Sequence, residues 1–372
     1  VVTPLDRRIG LYFHIPFCTK KCPYCHFFVT PYRQDIIDGF VATLQRELAW
    51  RAPLLEGKEL LSLYFGGGTP SLLEAEQLNT ILQALPEKPK EITIEVNPET
   101  VTAEKIGAYR EIGINRISIG IQSLVDSELL LLGRTHNASK AVEAIHIAHS
   151  AGIKNISVDL MYELPKQTPH SWSVTLQQTI ALPITHLSLY NLTFEPHTPF
   201  HTQRRELLPL IAQDEEKVQM LKEAIFCFAS AGLERYEISA FAKPGFTSLH
   251  NSGYWLGRNF LGFGPSAFSF WEGSRFRNIC SIQKWAGALK EKNSPLDFEE
   301  TLSSEDAYNE LLAIQLRMLS GCDLSSRGEL PERTRSTLSQ LVRDDFLIQE
   351  GSRIWLSERG LLFYDDVASA II

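Results

Sequence analysis

Three of the six cysteines, Cys18, Cys22 and Cys25, fall within eight consecutive positions of the run Tyr12-Phe13-His14-Ile15-Pro16-Phe17-Cys18-Thr19-Lys20-Lys21-Cys22-Pro23-Tyr24-Cys25. Thiolates crowded on one loop repel one another unless a metal takes up their charge, so C-x3-C-x2-C spacing argues for a metal site. The number three narrows the choice. A structural zinc ion or an electron-transfer iron-sulfur cluster ordinarily closes with four protein ligands. Three thiolates can hold a four-iron cube by three corners and leave its fourth iron open to another molecule. The competing reading is zinc, with His14 or His26 as fourth ligand. A disulfide framework does not fit, because Cys227, Cys280 and Cys322 stand alone.

The chain has 372 residues, 44% of them apolar and 22% charged, with a net charge of −8. That is the balance of a globular protein with one large domain and a small one. No stretch of about 18 apolar residues is present for a membrane span, and no charged-then-apolar leader precedes Ile9, so a reduced, cytoplasmic location is expected. An acidic balance gives no general reason to expect nucleic acid.

Short apolar runs recur at Ile9–His14, Leu61–Gly66, Glu91–Asn97, Arg116–Ser123, Asn155–Tyr162, His186–Leu192 and Glu234–Ser239, with amphipathic stretches between them. Ile36, Ile37, Phe40, Val41, Leu44 and Leu48 share one face at the helical period. Ser71 with Glu74 reads as a capping box opening the next helix, and Ser139 as the cap of a third that ends at Gly152. This alternation predicts an α/β fold, a parallel sheet covered by helices.

The polar residues of these runs gather at one end. Gly66-Gly67-Gly68-Thr69-Pro70 ends the second strand, Glu95 and Asn97 the third and Gln122 the fourth, and Asp159 lies near the end of the fifth. In β/α barrels the carboxyl ends of the strands carry the active site. Five units therefore point at one pocket, with the cysteine loop as one wall. Any one of these residues alone would pass as an ordinary loop contact; their shared position is the argument. The glycines let backbone amides approach a ligand closely, and Thr69 adds a hydroxyl. Glu95, Gln122 and Asp159 can accept hydrogen bonds from an ammonium or from ribose hydroxyls. Arg134 can grip a carboxylate or serve as a surface ion-pair partner.

The motifs YFHIPFCTKKCPYC, YFGGGTPSLL, EVNPET, RISIGIQS, LLGRTH, VDLMYELPKQT and HNSGYW, in that order, resemble the HemN/HemW branch of the radical S-adenosylmethionine superfamily over nearly the whole chain. The resemblance implies a partial, TIM-like β/α barrel with a small carboxy-terminal α+β domain. It implies a [4Fe-4S] cluster on Cys18, Cys22 and Cys25, and S-adenosylmethionine held by Tyr12, Tyr24, Gly67, Gly68, Thr69, Glu95, Gln122, Arg134 and Asp159. One departure is visible. Many relatives read YGLPGQT where this chain has Tyr162-Glu163-Leu164-Pro165-Lys166-Gln167-Thr168.

The branch holds an oxygen-independent coproporphyrinogen III oxidase, which decarboxylates propionates through a 5′-deoxyadenosyl radical, and a heme chaperone. The oxidase pattern has a further cysteine two positions after the third, where this chain has Phe27, and a long amino-terminal cover, where 17 residues precede Cys18. The chaperone pattern has His-Asn-x-x-Tyr-Trp, present at His250 to Trp255. The resemblance therefore favours a chaperone that binds heme through His250 and delivers it to apo-hemoproteins, with a homodimer and peripheral association with the cytoplasmic membrane as further expectations.

The spacing of Gly262, Gly264 and Ala267 superficially matches a dinucleotide loop, but Pro265 interrupts it and no βαβ unit opens there. Beyond it, the polar run 290–296 reads as a linker. Ser303–Met318 and Pro331–Phe346 read as helices, followed by a hairpin around Glu350–Leu356 and a last helix from Glu358. That order predicts a winged-helix-like module. The expected division is a barrel over 1–240, a Gly- and aromatic-rich segment over 241–295 and the module over 296–372. A zinc-containing DNA-binding module is the remaining alternative. Mixed charge on the second helix, with Glu332, Asp344 and Asp345 beside Arg333, Arg335 and Arg343, argues against it.

Overall fold

The computed structural model describes residues 7–372. Strands β1 (Arg8–Ile15), β2 (Glu59–Gly67), β3 (Glu91–Val96), β4 (Arg116–Gln122), β5 (Asn155–Tyr162) and β6 (His186–Asn191) run parallel and lie side by side in that order. The alternation along each strand decides its two faces. In β4, Ile117, Ile119 and Ile121 are fully buried in the main apolar core, while Ser118 and Gly120 share the opposite face with Arg116. The outer face packs on helices and the inner face is polar, so these parallel strands are less uniformly apolar than expected.

The helices follow from capping and periodicity. The first, Gln34–Leu55, buries Ile37, Phe40, Val41, Leu44 and Leu48, each worth about 1.5–3 kcal/mol when fully withdrawn from water. Two expected caps are corrected. Glu74, paired with Gln77, forms the capping box of Ala75–Leu82, whereas Ser71 Oγ bonds Thr100 Oγ1 at 2.7 Å. Asn137, two residues before Ser139, caps Ala138–Ser150.

Past β6 the direction reverses. β7 (Glu234–Glu237) and β8 (Ala240–Ala242) form an antiparallel pair, with β8 antiparallel to β6. On the other flank β9 (Phe260–Phe263) lies parallel to β1, and β10 (Phe268–Trp271), β11 (Ser274–Asn278) and β12 (Leu296–Thr301) extend the sheet antiparallel. The twelve strands form one sheet whose outermost members are β12 and β7, so the barrel stays open. The segment after 241 is thus part of the main sheet, and the connection at 290–296 leads from a helix into β12.

A second core, around Leu312, Leu316, Leu338, Ile354 and Val367, belongs to the carboxy-terminal module. Helices Ser304–Gln315 and Glu332–Arg343, a three-stranded sheet and two terminal helices make it winged-helix-like. Backbone bonds from Ile238 N to Arg317 O (3.1 Å) and from Leu319 N to Tyr236 O (3.1 Å) fasten it to the barrel. Among the described residues no helix is long and apolar enough to cross a membrane.

Candidate cofactor site

The cysteine loop follows β1 and crosses the carboxyl rim. Gly68 N and Thr69 N donate to Ile15 O and Phe17 O, both at 2.8 Å, which ties the glycine run of β2 to the loop. Glycine is required for this approach. A Cβ on Gly68 would lie 2.6 Å from Phe17 O and 3.0 Å from Cys18 Sγ. On the far side Gly133 has φ +69, and a Cβ there would meet Pro23 Cδ at 2.8 Å.

The thiols are then placed by polar neighbours. Thr69 Oγ1 is 3.5 Å from Cys18 Sγ and accepts from Asn97 Nδ2 at 3.1 Å. Arg134 reaches from the loop after β4, with Nη1 3.6 Å from Cys22 Sγ and Nη2 donating to Asn97 Oδ1 (2.9 Å) and Gly120 O (2.8 Å). Arg134 therefore belongs to the rim and is no surface ion-pair partner. Burial pushes the Cys18 and Cys25 thiols up, so they hold their protons until a cation replaces them.

The zinc reading does not fit the histidines. His14 Nδ1 is 3.1 Å from Tyr12 Oη and Nε2 is 2.8 Å from Phe28 O, so both ring nitrogens are engaged, and burial lowers its pKa to about 4. His26 stacks on Phe27, ring centroids 4.7 Å apart. Among the described residues no three Cys, His, Asp or Glu side chains converge on a point suited to a single ion. Three thiols spread over one loop, with a glycine cradle and Arg134 alongside, fit a larger cluster better.

Glu95 and Asp159 lie deeper in the mouth. Glu95 accepts from Tyr64 Oη at 2.9 Å and Gly67 N at 3.1 Å, and burial followed by the charge on Asp159 pushes it up to about 7. Asp159 accepts from Ser118 Oγ at 3.3 Å, and burial pushes it up to about 6. Gln122 has φ 64 at a register shift of β4; this left-handed turn, unfavourable for a non-glycine residue, swings its amide to 3.1 Å from the Cβ position of Gly120, near Arg134 and Asn97. Tyr12 stacks on Tyr64 at 6.2 Å, one step below Glu95. Tyr24 packs with Phe200 at 6.3 Å, and its hydroxyl hydrogen-bonds the Cys22 thiol beside Arg134. Of the nine expected contacts, Gly68, Thr69, Arg134 and Tyr24 lie against the thiols, Gly67, Glu95, Gln122 and Asp159 lie along the carboxyl rim, and Tyr12 lies deeper, between Tyr64 and His250. Asn97, expected at the rim, joins Arg134 to Thr69; Tyr64 and Ser118, which orient the two carboxylates, were not among the expected residues. Their position on the inward alternation of β2 and β4 was the available signal.

His250 lies elsewhere. It is 3% exposed, its Nδ1 is 2.9 Å from Ser62 Oγ and its Nε2 2.8 Å from Tyr254 Oη. Glu91 accepts the amides of Leu249 and His250 at 3.1 and 3.0 Å. Both ring nitrogens of the expected heme ligand are thus engaged within the protein. The ring sits beside Gly10, Ser62 and Tyr64, at the amino end of the barrel. A small cleft bounded by Ile9, Leu61, Tyr254, Arg258 and Phe260 adjoins it.

Comparison with known proteins agrees with this architecture. The radical SAM superfamily model matches residues 12–178 and the HemN C-terminal domain model residues 302–363. The heme chaperone HemW of Lactococcus lactis is 31% identical, covering 96% of this chain and 95% of that protein, and its counterpart from Escherichia coli is 30% identical over 96% and 97%. The solved structure of coproporphyrinogen III oxidase (HemN) from Escherichia coli superposes with a TM-score of 0.85 at 25% identity, covering 98% of this chain and 90% of that one. Joined to the three-thiol loop and its glycine cradle, these matches show that the chain belongs to the HemN/HemW family of the radical S-adenosylmethionine superfamily.

Proposed function

We propose that the chain is a heme chaperone that carries a [4Fe-4S] cluster on Cys18, Cys22 and Cys25, binds S-adenosylmethionine at the rim and passes heme to apo-hemoproteins. Bound there, the cluster and S-adenosylmethionine supply one-electron chemistry. The residues around them bind and orient. Gly67, Gly68 and Thr69 leave room for an amino acid moiety, Arg134 faces a carboxylate, and Glu95, Gln122 and Asp159 accept from the ammonium and ribose hydroxyls.

The observation that carries the choice of chaperone is the separation of the two motifs. His250 sits at the level of Gly10, five residues before the end of β1, roughly 16 Å from the rim at ~3.3 Å per residue. The Tyr12–Tyr64 pair lies between. A porphyrin held by His250 is remote from any radical formed beside Cys18, which suits cargo and does not suit a substrate. Coordination by His250 requires Tyr254 Oη to give up Nε2, with the adjoining cleft opening as the helix Leu249–Trp255 moves.

The oxidase reading is supported by the likeness to the HemN structure, and one experiment separates the two. Anaerobically reconstituted protein is given heme and coproporphyrinogen III in turn. Heme binding that weakens in His250→Ala, with no decarboxylation, is expected. Conversion of coproporphyrinogen III to protoporphyrinogen IX would overturn the chaperone reading. Stoichiometric zinc without visible absorption would overturn the cluster.

A further inference from the structure

Arg116 lies inside the barrel at 1% exposure, on the inward face of β4, and its Nε and Nη1 have no hydrogen-bond partner among the described residues. Its neighbours share this condition. Thr93 on β3 and Asn155 on β5 pair directly with Arg116 across the sheet, and Thr93 Oγ1 and Asn155 Oδ1 are also buried without a partner. Three adjacent strands therefore leave polar atoms unmatched at one level of the barrel. A guanidinium keeps its charge inside proteins, and a dry, unpaired one is strongly destabilising. Donors and acceptors that face one another in this way are the groups buried water bridges.

Above this level lie the two carboxylates of the cofactor mouth. Glu95 is two residues beyond Thr93 and Asp159 four beyond Asn155, about 7 and 13 Å toward the rim at ~3.3 Å per residue. Glu95 faces Tyr12, Tyr64, Tyr254 and Asp159. Asp159 faces Ser118, Ser188, Tyr190 and Arg134. Arg116 itself faces Tyr64, Tyr236, His186 and His250, and burial holds both histidines neutral, so neither supplies positive charge. Arg134 is engaged with Asn97 and Gly120 at the rim, and the oxygens of Glu91 are taken by the Leu249 and His250 amides. Arg116 is the cation that acts on both carboxylates from below.

We propose that Arg116 is a positioning residue, coupled through internal water to Glu95 and Asp159, that favours the charged form of each to receive the ammonium and ribose hydroxyls of S-adenosylmethionine. This rests on the cofactor assignment proposed above. Burial opposes charge on Glu95 and Asp159, and Arg116 offsets that opposition in each.

The test compares wild type, Arg116→Lys and Arg116→Gln in two measurements. The first is the affinity of the anaerobically reconstituted protein for S-adenosylmethionine between pH 6 and 9. The second, without S-adenosylmethionine, follows the carboxyl infrared absorption that Glu95→Gln removes. In Arg116→Gln both midpoints rise by about one unit or more, and Arg116→Lys returns them toward wild type. Unchanged midpoints in Arg116→Gln would overturn the proposal. If that variant does not fold, Asn155→Leu removes a water-holding acceptor and gives a smaller rise; an unchanged profile there overturns the coupling equally. Wild type that binds no S-adenosylmethionine at any pH would sink the cofactor reading, while the infrared titration would still judge Arg116.

Discussion

The two ends of the barrel are built on opposite plans. At the amino end both ring nitrogens of His250 and the adjoining amides have a protein partner. At the carboxyl end Cys18 and Cys22 have polar neighbours at 3.5 and 3.6 Å, and the backbone itself is strained. Gln122, Glu163, Lys166, His197 and Ser266 all have positive φ, and all lie at or after the carboxyl ends of parallel strands. Such conformations cost roughly 1–2 kcal/mol each outside glycine and gather where function requires them. The contrast teaches that the carboxyl end is shaped to receive a group as it stands, while the amino end must exchange internal partners for one.

The comparison breaks most sharply at Gly68. In Gly68→Ala the new Cβ meets Phe17 O and Cys18 Sγ, so anaerobic reconstitution is expected to lose most of its iron; iron content near that of wild type would show that the cradle is dispensable. A large loss of stability is expected from Glu47→Ala. Glu47 is fully buried and binds Arg51, Gly264 N, Asn278 and Trp285, holding the loop after β9 against the first helix. Its removal leaves a buried guanidinium unpaired and costs about 3–5 kcal/mol, measured by urea unfolding.

Acid tests a buried histidine at each end. In the unfolded chain histidine gains its proton near pH 6.5, but in the fold His14 does so at about 4 and His250 at about 3. Between those values the unfolded state binds more protons, so stability is whole above pH 6.5 and falls as pH drops toward 4, by roughly 3 kcal/mol for each residue. Urea midpoints between pH 7 and 5 should show the slope, and His250→Gln should flatten it. Arg317→Ala acts on the amino end from outside. Arg317 lies 4.3 Å over the Trp255 ring and 3.5 Å from Glu237; its loss should cost about 1–2 kcal/mol and speed amide exchange in Leu249–Trp255. Unaltered exchange there would detach the carboxy-terminal module from that helix. The smallest effect belongs to Gln122→Gly. Relief of the left-handed turn, less the entropy of glycine, leaves a gain of about 0.5 kcal/mol, while affinity for S-adenosylmethionine falls.

The open end was legible because its markers are local. Cys18, Cys22 and Cys25 share a loop, and Gly67, Glu95, Gln122 and Asp159 each close a strand whose alternation announces it. The six central strands were readable within a residue or two for the same reason. The closed end depends on partners far apart in the chain. Nothing near His250 reveals that Ser62 and Glu91 will engage it, and nothing in 260–301 reveals that these residues join β1 rather than stand apart. Short-range rules also misplaced the caps at Ser71 and Ser139, where Glu74 and Asn137 compete successfully nearby.

The position of β9 also bears on how the molecule is made. β1 pairs with β2 on one edge and with β9 on the other, so one edge of the first strand waits for residues 260–263 before it is covered. At ~5–20 residues per second on the ribosome, that interval is roughly 12–50 s, during which an apolar edge of a parallel strand stands open to mispairing. The Phe13–Phe263 stack, at 4.7 Å, then closes the wall from which the cysteine loop departs. Metal loading is therefore expected to follow late in synthesis, after that long-range pairing, rather than on the nascent amino terminus.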